Sequence, residues 1–124
     1  MPKWIVRESD VEGYSPANHE GTVNKRLIGP DNVGAKHLEV LLGTIECQKG
    51  ALPHAHPDIE QVVYIISGTA DVEMDGEKGA MGPGDCCYLP PNKKHVFTVT
   101  SKEPARIIVI YSPPYEEHPD RVIR

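Results

Sequence analysis

The chain has no apolar run approaching the roughly 20 residues that a membrane-spanning helix needs. Nor does any window carry apolar residues at helical spacing for as much as three turns, so long amphipathic helices are excluded. Positive charge is not in excess: 13 Lys and Arg stand against 18 Asp and Glu, a formal net charge of −5. That balance argues against nucleic acid or an anionic membrane surface as the main partner. Cysteine is sparse and odd in number, with Cys47 alone and Cys86 beside Cys87. Adjacent cysteines are too close along one trans peptide for ordinary disulfide geometry, so a disulfide framework is not expected. The three thiols read as small buried apolar residues in a reducing compartment. Met1-Pro2-Lys3-Trp4 opens no secretory apolar core, which makes the cytoplasm the expected address.

What the chain has in plenty is punctuation: 12 prolines and 11 glycines in 124 residues. Between them lie short β-rich runs, the pattern of an all-β sandwich or barrel. The length suits one domain. We divide it into an N-terminal arm with edge strands (1–37), a barrel (38–111) and a C-terminal tail without a core of its own (112–124).

Taken in order, Trp4–Arg7 predicts a short strand and Tyr14–Asn24 a polar loop, in which His19 is an ordinary solvated residue. Lys25–Ile28 predicts a short strand stopped by Gly29-Pro30-Asp31-Asn32, with Lys25 and Arg26 on the surface. Leu38–Cys47 predicts a strand with Leu41 and Ile45 on one face, and Lys49-Gly50 a turn. Gln61–Ser67 is apolar on both faces, so something must cover its outer residues Val62, Tyr64 and Ile66. Further strands are expected at 68–74, ended by the hairpin signal Asp75-Gly76, and at 86–89, 95–100 and 106–111.

Chemistry concentrates in His54-Ala55-His56-Pro57-Asp58-Ile59-Glu60-Gln61. Two histidines one residue apart share a face of an extended strand and aim both rings at one point. Oxygen donors follow in Glu60 and Gln61, and His95 stands behind the rigid turn Pro90-Pro91-Asn92. Imidazoles converging with an oxygen donor inside a β-barrel form a metal site. Glu60 and Gln61 are neighbours, so a regular strand turns only one of them inward.

These residues resemble the motifs of the cupin superfamily: His-x-His, three or four residues, an oxygen ligand, six residues and Gly, then a later Pro, turn and His. His54, His56 and Gly68 match the first motif; Gly84, Asp85, Pro90 and His95 trace the second. The resemblance implies a cupin-type double-stranded β-helix, or jelly-roll barrel, in a small single-domain cupin. Counting three residues from His56 selects Glu60, whereas four residues, or six back from Gly68, selects Gln61. We take His54, His56, Gln61 and His95 as ligands of one divalent ion, Ni, Fe, Mn, Zn or Co. The three-histidine, one-glutamine set looks like that of small cupins acting on unsaturated uronates in pectin breakdown. Neutral ligands leave the ion's charge uncompensated, which favours a small anionic, oxygen-rich substrate.

Two classes of function follow. One is a metal-dependent enzyme, either a Lewis-acid isomerase or lyase or an Fe(II) dioxygenase, with Glu60 as a candidate general base. The other is a non-catalytic module that binds a small ligand or metal. The doubly apolar strand 61–67 and the two terminal arms predict a homodimer.

Overall fold

The computed structural model describes residues 2–16, 19–51 and 55–115. Within them the chain is almost entirely antiparallel sheet. Eight strands are formed: β1 (His19–Ile28), β2 (Glu39–Ala51), β3 (Glu60–Ser67), β4 (Ala70–Met74), β5 (Glu77–Met81), β6 (Cys86–Leu89), β7 (His95–Val99) and β8 (Ala105–Ser112). The one α-helical turn, α1 (Pro30–Val33), sits where Gly29-Pro30 halts β1. No described helix is long and apolar enough to cross a membrane.

The strands form two sheets, one in the order β1-β2-β8-β3-β6 and the other β5-β4-β7. Period-two alternation turns one side of each strand inward. β7 buries His95, Phe97 and Val99, and β8 buries Ala105, Ile107, Val109 and Tyr111. With Leu41 and Ile45 from β2 and Val63 and Ile65 from β3, these side chains make one core between the sheets. Full burial of each Val, Leu, Ile or Phe contributes about 1.5–3 kcal/mol, so the core fixes which face of every strand points inward.

Four local expectations are corrected. Residues 4–7 form no strand; the chain turns there and enters a 3-10 turn at Glu8–Asp10. Glu8 pins this segment to the barrel through Lys25 (2.9 Å) and Arg106 (3.0 Å). The second half of the expected loop 14–24 is strand, because β1 starts at His19 and pairs with β2 along its length. Lys49-Gly50 does not end β2, which runs on to Ala51; pairing jumps from Glu20–Gly50 to Thr22–Ile45, so β2 bulges through 46–49. Glu77–Met81, read as no particular element from sequence, is β5, folded onto β4 by the Asp75-Gly76 turn.

The cysteines form no disulfide, as expected, but they are less buried than expected. All three are free; Cys86 is exposed, while Cys47 and Cys87 are half-buried. The tail starts inside the molecule: Pro114 and Tyr115 are buried, and Tyr115 joins the core.

Candidate metal centre

The site is assembled at one end of the space between the sheets. His56 lies just before β3 and is 2% exposed. Gln61 is the second residue of β3 and is buried, whereas Glu60 beside it is exposed. Alternation along β3 therefore places the amide inside and the carboxylate outside. Glu60 accepts a hydrogen bond from the Tyr88 hydroxyl at 2.8 Å on the outer surface, which removes it as a base for this cavity. His95, first residue of β7, is buried on the inner face.

A turn joins the two halves. The Pro90-Pro91-Asn92 segment carries Asn92 at φ 67°, and the Asn92 N–H donates to the His56 carbonyl at 3.0 Å. The backbone before one candidate ligand is thus bonded to the backbone of another. The His56 and His95 ring centroids lie 5.8 Å apart. His54 lies outside the described residues, as does His118 of the tail. Among the described residues no three His, Cys, Asp or Glu side chains converge. His56 and His95 stand side by side, and the Gln61 amide shares a cavity wall with His95.

A cavity of about 60 Å3 adjoins Gln61 and His95; His19, Thr22, Asn24 and Tyr111 also line it, with apolar neighbours such as Leu41 and Phe97. His19 was expected to be solvated. It is instead the first residue of β1, half-buried at the cavity wall. The missed signal was β1 itself, whose mixed polar sequence shows no alternation.

Burial is the main influence that lowers the His95 pKa below its usual 6.5; a backbone contact with Lys93 works against it, and the charge of nearby His19 adds to the lowering. The His95 Nδ1 lies 3.4 Å from the Lys93 carbonyl oxygen, which can only accept, so Nδ1 carries the proton and Nε2 the lone pair. A neutral imidazole with its orientation set by a backbone carbonyl is the ligating form.

The sharpest observation is at Gln61. Its Oε1 is buried and makes no hydrogen bond within the described structure. An unsatisfied buried acceptor costs about 1–3 kcal/mol, and such orphans call for an ion, a water or a function. In one cavity with His95, an amide oxygen is a fitting donor to a divalent cation. The residues present therefore fit a metal. No carboxylate lines the cavity among the described residues.

Comparison with known proteins agrees with this architecture. The chain is 28% identical over 113 residues to polyketide synthase CurC of Streptomyces cyaneus, covering 91% of this chain and 73% of that protein. It is 29% identical over 77 residues to pectin degradation protein KdgF of Dickeya dadantii, covering 60% and 69%. The solved structure of KdgF from Halomonas sp. superposes with a TM-score of 0.78 at 20% identity, covering 90% of this chain and 96% of that one, a likeness of fold. Residues 41–111 match the cupin domain family, and these lie across the paired sheets and the turn that bring Gln61 to His95: the chain is a member of the cupin family.

Proposed function

We propose that this cupin is a metal-dependent enzyme acting on a small, oxygen-rich anionic substrate by Lewis-acid isomerase or lyase chemistry. The observation that carries the reading is the buried, unbonded Oε1 of Gln61 on the inner face of β3, in one cavity with the buried His95 imidazole that pairs with His56. His54, His56, Gln61 and His95 would hold one divalent ion. When bound, it supplies a polarising positive charge that stabilises negative charge developing on a substrate oxygen.

The rest follows from the chain's own residues. Four neutral donors cancel none of the ion's charge, and no described carboxylate lines the cavity. An anionic head group is therefore drawn in, and a cationic one repelled. At about 60 Å3 the cavity admits a volume equal to roughly four waters, enough for the acid end of a small molecule. The apolar walls exclude further water, which strengthens the electrostatics inside. His19 stands at the same wall as a residue able to hold or deliver a proton. The relatives named for polyketide synthesis and pectin degradation bear names of pathways on oxygen-rich carbon compounds, which supports a substrate of that class.

Metal analysis of the purified protein tests the reading. One equivalent of a divalent metal is expected, and Gln61→Leu should weaken its retention by at least about tenfold, since even outer partners of ligands are worth 10–100-fold. Gln61→Glu should keep the metal while weakening anion binding, because it cancels one unit of site charge. Metal content unchanged in a His56→Ala, His95→Ala double variant would reject the site. Dioxygen uptake confined to the Fe(II)-loaded protein would replace the isomerase or lyase reading with a dioxygenase. Binding of organic acids without turnover under any metal would leave a non-catalytic module.

A further inference from the structure

Glu39, the first residue of β2, is wholly buried, yet it lies outside the cavity just described. Its two carboxylate oxygens serve two different parts of the chain. Oε2 accepts from Arg26 Nε of β1 at 2.7 Å. Oε1 accepts from the backbone N–H of Tyr115, beyond the end of β8, at 3.2 Å. Arg26 is itself fixed: its guanidinium lies 5.2 Å above the Tyr14 ring and donates to the Tyr14 hydroxyl at 3.2 Å. Tyr14 in turn pairs with Asn24 of β1 through backbone bonds of 2.9 and 2.7 Å.

The far end of this chain of contacts is the candidate metal centre. The Tyr115 ring lies 4.4 Å from the His56 ring and 5.0 Å from Tyr111, which also packs edge-on against His56 at 5.3 Å. His56, Tyr111 and Tyr115 thus form a mutually packed trio of rings, and Tyr115, the nearer tyrosine to His56, is held in place by Glu39. A buried ion pair is weak evidence for stability, because desolvation offsets the attraction; its directional bonds fix geometry instead. Here the geometry being fixed is that of an aromatic wall on a ligating imidazole.

We propose that Glu39 is a positioning residue for the metal centre, holding Tyr115 over His56 so that the ring is kept in one orientation and shielded from solvent. This rests on the reading of His56 as a metal ligand. The wall itself belongs to the protein without metal, and this allows the two ideas to fail separately.

The test starts with metal-free protein treated with diethyl pyrocarbonate, with modified histidines mapped by mass spectrometry and exposed His37 as the internal standard. In the wild type His56 should be protected. In Tyr115→Ala, and in Glu39→Gln, which keeps the volume but loses the charge that holds Arg26, its rate relative to His37 should rise by about tenfold, the signature of a local opening rather than unfolding. Tyr115→Phe, which keeps the ring and the backbone N–H, should retain more of this protection than Tyr115→Ala. Cobalt(II) then reports on the ligands: both opening variants should release it to a chelator about tenfold faster and shift its visible absorption. Equal His56 modification in all variants overturns the wall. Opened walls with unchanged cobalt release and spectrum overturn the positioning role. A wild type that takes up no cobalt, with the labelling pattern as expected, sinks the metal reading and leaves Glu39 as the clamp of Tyr115 alone.

Discussion

Thiol reactivity depends on access and on the fraction present as thiolate, and consecutive strand residues can differ in both. Cys86 and Cys87 are such a pair on β6, the first exposed and the second half-buried against the core. Burial pushes the Cys87 thiol above its usual pKa of 9.0; a backbone hydrogen bond from Val63 opposes this, and the neighbouring Cys86 adds to it. Iodoacetamide near neutral pH should therefore alkylate Cys86 first and Cys87 much more slowly, which peptide mass spectrometry can resolve; equal rates would contradict the burial of Cys87. The same alternation decides the more consequential pair. Gln61 faces in and Glu60 out, an outcome legible from the count back to Gly68 because strand period and motif spacing agree. His19 was not legible. Its inward position depends on a bulge in its partner strand β2, and nothing in residues 14–24 encodes that bulge.

Glycines show how far an element's sequence reveals its surroundings. Gly68 has φ +89°, and a Cβ there would lie 2.8 Å from the Ala105 Cα and 2.9 Å from its Cβ. Gly76, in the β4–β5 hairpin, has φ +79° and nothing within 4 Å. Gly76→Ala should then cost only the left-handed backbone penalty, about 1–2 kcal/mol. Gly68→Ala should cost that and a further ~1–3 kcal/mol of overpacking. Urea unfolding of both variants checks the order, and equal losses would mean that Ala105 gives way. The hairpin glycine was readable from Asp-Gly alone, because turn chemistry is local. The need for Gly68 appears only when β3 and β8 come together. For the same reason the strongly alternating or apolar strands β3, β7 and β8 were readable, as was Lys25–Ile28 at the end of β1, whereas the start of β1 and all of β5 were not. Glu77-Lys78-Gly79-Ala80 is exposed throughout, and this strand exists because the hairpin lays it on β4.

At the scale of the molecule, the fold was legible because inward positions recur with period two in several strands at once, and one core satisfies them all. The outer face of the larger sheet is a separate matter. Tyr64 and Ile66 of β3 and Tyr88 of the neighbouring β6 are 42%, 41% and 52% exposed. Half-buried Val62, Ile108 and Ile110 continue the same face across β3 and β8. A sheet face open to water normally alternates apolar-in with polar-out, and here the outward positions are apolar as well. Contiguous exposed apolar surface of this kind marks an interface. A second copy of the chain fits it, since a two-fold axis lets one apolar patch cover its own equivalent. Analytical ultracentrifugation at micromolar concentration should therefore find a dimer, and a Tyr64→Glu, Ile66→Glu double variant should sediment as a monomer. Both side chains point away from Gln61 and the core, so circular dichroism and metal content should stay as in the wild type. A wild-type monomer, or a dimer indifferent to both substitutions, would show that this face serves something other than self-association.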